Sequence, residues 1–205
     1  MTNVEQFINN LKDFGHSFSD LGLSKGATIE QIDRIEKTIK RQLPESFKTF
    51  LQHIDGQSND NFYFLPDQAL LLSCEEIIDE YEGQSEFFEE NIEFYNDYQC
   101  ENKIRCPVWS ESKVPIAGRD GYYLFIDFDP APNGTYGQII FLVNECDSVV
   151  LSPNFSDFID NYNYLIIEKV LKVKYFDNEY GKFYRLTTDS DFLDGIDFAK
   201  LFGQK

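Results

Sequence analysis

The sequence predicts a single-domain α+β protein on three observations. Apolar residues recur at helical spacing in several separated stretches. Two β-rich runs, Tyr122–Phe128 and Gly137–Val143, flank Asp129 to Gly134, a loop of turn formers, and so read as an antiparallel pair. No internal repeat or low-complexity linker divides the chain, and its 205 residues suit one core. With 42% hydrophobic residues, including 20 Phe and 12 Tyr, it carries enough apolar surface to offset the entropy of ordering.

The elements follow in order. Val4, Phe7, Ile8 and Leu11 predict a short helix, followed by a loop through Gly15, Ser17, Ser19 and Gly22. Thr28 with Gln31 forms a capping box, and Ile32, Ile35, Ile39 and Leu43 make the apolar face of the helix it starts. Pro44 turns the chain into another helix carrying Phe47, Phe50, Leu51 and Ile54, with Gly56 as its left-handed stop. Asn61–Leu65 and Ala69–Leu72 read as short strands.

Ser73 with Glu76 is a second capping box. Beyond it Ile78, Tyr81, Phe88, Ile92 and Tyr95 form an apolar stripe, with Gly83 as the point where the helix would break. Glu75, Asp79, Glu82, Glu86, Glu89, Glu93 and Asp97 make a parallel acidic stripe. Further on, Val149–Leu151 reads as a strand. Ser152 and Pro153, as N-cap and N1, start a helix through Phe155, Phe158, Ile159, Tyr162, Ile166 and Val170. The last segment holds a strand-like stretch at Phe183–Leu186 and a helix after Thr188.

Charge narrows the function classes. The 36 acidic against 18 basic residues give −18 and a pI near 4.3, so nucleic acid and anionic membranes are repelled. Between Arg41 and Lys103 only Lys48 is basic, so the acidic stripe has no partners in its own neighbourhood. A face that only solubilised the helix would mix signs to gain salt bridges, and the stripe therefore points to a basic protein partner. Glu82, Glu86, Glu89, Glu93 and Asp97 are the candidate partner-binding residues, with the loop from Asp129 to Tyr136 as the next surface to consider.

The N-terminus has no secretory pattern and no apolar run approaches a membrane span, which predicts a cytoplasmic protein. Cys74, Cys100, Cys106 and Cys146 lack CxxC spacing and are expected to be reduced thiols, without a structural zinc site. His16 and His53, the two histidines, are expected in exposed or loop positions, outside any Ser/His/Asp or Cys/His arrangement. Dinucleotide, P-loop, zinc-protease and nucleophile-elbow signatures are missing, so no enzymatic function and no cofactor are expected. Asp127 and Asp129 form an Asp-x-Asp pair without evident further ligands, so no metal is expected either.

Leu43-Pro44 before Phe47, Phe50 and Asp55-Gly56, then Trp109, Pro115-Ile116-Ala117, Gly121, Leu124 to Pro130, Gly137-Gln138 and Phe155 to Phe158, form an ordered series. Across Leu21 to Tyr164 it resembles the SUKH superfamily, which includes fungal cell-wall-synthesis regulators and many bacterial immunity proteins. The resemblance implies a twisted antiparallel sheet packed against N-terminal and C-terminal helices, with no catalytic centre. It also implies binding and neutralisation of a cognate polymorphic toxin, often a nuclease, with a regulatory or scaffold role of the cell-wall-regulator type as the alternative. Leu43, Pro44, Gly56, Trp109, Gly121, Asp127 and Gly137 are then structural residues. Residues 1–174 form the expected SUKH-like domain and 175–205 a C-terminal extension packed on it.

Overall fold

The computed structural model describes all residues except 15–16, 18–19, 59–60, 96–101, 107, 144–146, 179–180, 191–193 and 203–205; for residues 85–95 it describes the backbone alone. Six helices and ten strands alternate along the described chain. Helix α1 (Asn3–Asp13) starts with a capping box between Thr2 and Glu5 and buries Val4, Phe7, Ile8 and Leu11. After β1 (Leu23–Lys25), α2 (Ile29–Ile39) begins at the expected box, in which the Thr28 N–H donates to Gln31 Oε1 at 2.8 Å. Lys40 ends α2 in the left-handed conformation, φ +53°. Pro44 stands immediately before α3 (Glu45–His53), where its missing N–H costs nothing and its fixed φ sets the corner. Leu43 is buried beneath that corner.

Gly56 departs from its expected role. Helix α3 runs directly into β2 (Ile54–Gln57), so Gly56 lies inside a strand and does not close a helix. It still needs to be glycine, because φ is +80° and an added Cβ would stand 2.5 Å from the Ser73 backbone nitrogen. Gly56→Ala should therefore cost about 1–3 kcal/mol. Urea unfolding checks this, and a loss below the resolution of the method would mean that β2 and the Ser73 turn move apart freely.

Three sheets follow. Strands β1 and β2 pair antiparallel. β3 (Phe62–Tyr63) and β4 (Leu70–Leu71) are shorter than the runs that predicted them, because a 3-10 turn at Pro66–Gln68 separates them. Buried Gln57 ties these pieces together, its Nε2 donating to Phe62 O at 2.7 Å. The main sheet has the order β4-β5-β6-β7-β8 and is antiparallel throughout, with β5 at Lys113–Arg119, β6 at Tyr122–Asp127, β7 at Gln138–Val143 and β8 at Asp147–Ser152. Asp120 and Gly121, φ +50° and +87°, make the two-residue turn between β5 and β6.

The middle of this sheet is buried on both faces. Leu124, Ile126, Ile139 and Phe141 face the main core, whereas Phe125, Ile140 and Leu142 face a smaller cluster with Ile104, Val108 and Trp109. Period-two alternation with both faces covered explains why β6 and β7 read as continuous apolar runs.

α4 (Cys74–Tyr95) is one continuous helix through Gly83, which a would-be Cβ shows to be open to solvent. Helix α5 (Phe155–Ile167) starts two residues later than expected: Ser152 belongs to β8, and Asn154 is the N-cap, its Oδ1 accepting from the Asp157 N–H at 2.9 Å. It also ends earlier, at Ile167, and the left-handed Lys169 places Val170 outside it.

β9 (Lys172–Asn178) and β10 (Gly181–Thr187) form a hairpin, and β10 also pairs in parallel with β3. The strand β9 spans position 174. The terminal helix expected after Thr188 is α6 (Gly195–Phe202). Its Phe198 and Phe202 pack on Tyr162, whose hydroxyl donates to Phe64 O at 2.9 Å.

Two further expectations change. Cys74 is a free buried cysteine, but Cys106 is disulfide-bonded, not a reduced thiol. A missing CxxC spacing argues against one kind of local pair only and does not exclude a bridge at Cys106. His53 is the last residue of α3 and half-buried, since the helix runs one turn beyond Phe50 before β2 begins. His16, Cys100 and Cys146 lie outside the described residues.

Candidate partner-binding surface

The first turns of α4 show how the sequence makes an acidic face. Ser73 and Glu76 form the expected box, with the Ser73 N–H donating to Glu76 Oε2 at 2.7 Å and the Glu76 N–H to Ser73 Oγ at 3.3 Å. Asp55 Oδ1 takes the Cys74 N–H at 2.7 Å, so a further free amide of the helix start is satisfied from β2. Cys74, Ile77 and Ile78 are buried, which turns Glu75, Glu76, Asp79 and Glu82 outward, and all four are exposed. Among the described residues no salt bridge involves any of these four.

Glu86, Glu89 and Glu93 continue the same spacing within α4, their side chains lying outside the described residues. Asp97 lies outside them altogether. Of the five residues singled out from the sequence, Glu82 is therefore the one whose side chain is placed, and it is exposed.

Glu82 also borders a cleft of about 450 Å3 between the end of α2 and α4. Thr38, Lys40 and Arg41 form one wall, Tyr81 and Glu82 the other, and Glu111 closes one end. Arg41 Nη1 donates to Glu111 O at 2.7 Å, and the Tyr81 hydroxyl donates to the same carbonyl at 2.9 Å. Burial pushes the Tyr81 phenol above its ordinary value, against the pull of Arg41, so it remains a neutral donor. The cleft thus offers cations on one side and the acidic helix on the other, suited to charged groups of a protein surface. Sequence reasoning missed Arg41 and Tyr81, since 40 residues of chain separate them and only the packing of α2 on α4 brings them together.

Of the residues expected to be structural, Trp109, Gly121, Asp127 and Gly137 lie in or beside the main sheet. Trp109, 7% exposed, meets Tyr123 and Phe125 edge-on with centroids 4.7 Å away in each case. Asp127 is fully buried in a row that crosses three strands, Lys113 on β5, Asp127 on β6 and Gln138 on β7. Lys113 Nζ is 3.9 Å from Asp127 Oδ1, Gln138 Nε2 donates to Asp127 Oδ2 at 2.9 Å, and the Asp129 N–H donates to Asp127 Oδ1 at 3.0 Å. Gly137, φ +81°, donates its N–H to Asp127 O at 2.7 Å.

The other member of the Asp-x-Asp pair, Asp129, takes Arg105 Nε at 2.9 Å, so the two carboxylates are engaged with different partners. Among the described residues no group of three potential ligands could hold a metal ion. Lys113 was not legible, because nothing in the sequence marked β5 as a strand. On the loop from Asp129 to Tyr136, Tyr136 is 64% exposed and rests edge-on against Phe128. No helix among the described residues is long and apolar enough to cross a membrane.

A search among curated proteins gave no match. A model of the SMI1 / KNR4 family (SUKH-1) matches residues 26–161, from the turn before α2 into α5. That span holds the Pro44 corner, the buried Lys113–Asp127–Gln138 row, the Trp109 cluster and the whole five-stranded sheet, and the chain therefore belongs to the SMI1 / KNR4 family (SUKH-1).

Proposed function

We propose that this protein is an immunity protein that binds and neutralises a basic protein toxin, a nuclease, in the cytoplasm of the cell that makes both. The observation that carries this reading is the exposed acidic face of α4, where Glu75, Glu76, Asp79 and Glu82 stand without an ion-pair partner among the described residues. Like charges three and four residues apart cost the helix a few tenths of a kcal/mol per pair. That cost is recovered when a cationic surface docks. A nuclease must hold phosphate and so presents such a surface, and the −18 net charge would steer it in. The role is binding, with no chemistry assigned to this chain.

The test is to find a toxin-like reading frame beside the gene and to co-express its toxic domain with this chain. Restored growth, with an equimolar complex that elutes as one species at low salt, is the expected result. Cytoplasmic disulfides are kept reduced, so the complex should also survive reduction of the Cys106 bridge. Continued toxicity with no complex would overturn the proposal.

A further inference from the structure

The β9–β10 hairpin lies beyond the residues that the family model matches, and it closes a second cavity of about 560 Å3. The walls of this cavity have the opposite character to the rest of the chain. Arg119, Lys182 and Arg185 line it, and the described lining residues include no carboxylate. Three of only 18 basic residues thus gather in one hollow of a protein with a net charge of −18. The topology brings them there: β10 pairs in parallel with β3, setting Arg185 opposite Tyr63, and Arg119 ends β5 beside them.

Aromatic rings fix both guanidinium groups. Arg119 stands over the Tyr63 ring at 5.6 Å and its Nη1 donates to the Tyr63 hydroxyl at 2.8 Å. Arg185 lies over Phe176 and Phe183 at 5.3 and 5.4 Å. Such stacking holds a planar cation in place, so less freedom is lost when an oxyanion takes its fork. The amides of Gln68 and Asn178 complete the lining. Gln68 and its neighbour Asp67 are both left-handed, φ +62° and +51°, and the Gly195 N–H of α6 holds that turn by donating to Asp67 Oδ2 at 2.8 Å. Two successive non-glycine residues in that region signal a backbone held in place by its surroundings. Among the described residues the carboxylates near these cations are Asp120 toward Arg119, Asp177 toward Lys182 and Asp67, whose charge Arg185 favours. The first two are exposed, Asp120 at 85%, and an anion can displace such screened pairs; Asp67 is half-buried and held by the Gly195 N–H.

We infer that this cavity binds a small polyoxyanion, bearing phosphate or carboxylate groups and larger than a single inorganic ion. Its volume is that of a small-molecule pocket, and two guanidinium groups with an ammonium match a ligand that carries more than one oxyanion group. It shares no lining residue with the cleft beside α4, so it stands or falls apart from the toxin-binding proposal.

Calorimetric titration of the full chain with pyrophosphate and with citrate tests it, for wild type, Arg185→Gln and Lys182→Gln. At least one probe should bind the wild type below about 1 mM, and Arg185→Gln should weaken it roughly tenfold or more. Lys182 has a side chain that is 70% exposed, so Lys182→Gln leaves the fold intact and should weaken binding roughly threefold. The preferred probe tells phosphate from carboxylate recognition. No saturable binding of either probe up to about 10 mM, or equal binding by wild type and both variants, would overturn the inference.

Discussion

Replacing Asp127 by alanine should lower the unfolding free energy by about 3–5 kcal/mol, because it strands the Lys113 ammonium in the interior. Both side chains are buried, and the carboxylate is the negative charge nearest the ammonium in the row that Gln138 completes. Burial already holds Lys113 below its ordinary value of 10.5, with Asp127 pulling it back up. The variant loses that pull. Between the depressed folded value and 10.5 the unfolded chain binds more protons than the folded one, so the variant should gain stability as pH rises through that window.

Measured as a difference from wild type, the penalty therefore shrinks toward pH 10.5. Taking that difference matters because buried Cys74 and Tyr162 act oppositely. Desolvation raises both groups, so their contribution is lost as pH climbs above their unfolded values of 9.0 and 10.0. Urea unfolding across this range checks the prediction. A loss below about 1 kcal/mol with no pH dependence would mean that Lys113 finds water in the folded protein.

Trp109→Ala should cost about 3–5 kcal/mol. The indole covers Phe125, which is fully buried, and packs in the cluster with Ile104, Val108, Ile140 and Leu142. Its two edge-on ring contacts, with Tyr123 and Phe125, each add roughly 0.5–1.5 kcal/mol beyond area burial. Removing it takes the largest side chain from the cover that Ile104 and Val108 share over Phe125, whereas Trp109→Phe keeps most of that cover and should lose much less. Thermal and urea unfolding of the pair distinguish these outcomes. Wild-type stability of Trp109→Ala would show that the cluster contributes little.

The helices were legible because their signals are local. Thr28 with Gln31 and Ser73 with Glu76 announce their starts within four residues, and the apolar spacing that follows is what the core buries. The strands were legible where both faces are covered, as at Leu124–Ile126 and Ile139–Leu142. β5 was missed because Pro115 and Ala117 are poor strand formers, and the register shifts between them. β9 was missed because it is a mostly exposed edge strand whose polar–apolar alternation, Lys172 to Tyr175, runs for four residues only. At α5 the expected start at Ser152-Pro153 fails because Ser152 pairs with Ile139 in the sheet, which leaves Asn154 as the N-cap. The acidic face of α4 could be read from spacing alone. The cleft beside it and the basic cavity behind the hairpin could not, since each joins residues that only tertiary packing brings together.

The acidic face carries the proposed function, and stopped-flow association with the cognate toxin, at two salt concentrations, tests it most directly. The comparison is wild type against the triple reversal Asp79→Lys, Glu82→Lys and Glu86→Lys, three positions that share one face of α4 by helical spacing. Wild type should associate well above the ~10⁵ to 10⁶ M⁻¹s⁻¹ of unsteered docking, with the excess fading as salt shortens the screening length. The reversal should associate at least about tenfold more slowly at low salt and lose most of the salt slope. Equal rates and equal slopes for the two proteins, with the reversal folded, would contradict a role for α4 and move the interface elsewhere, first to the loop from Asp129 to Tyr136.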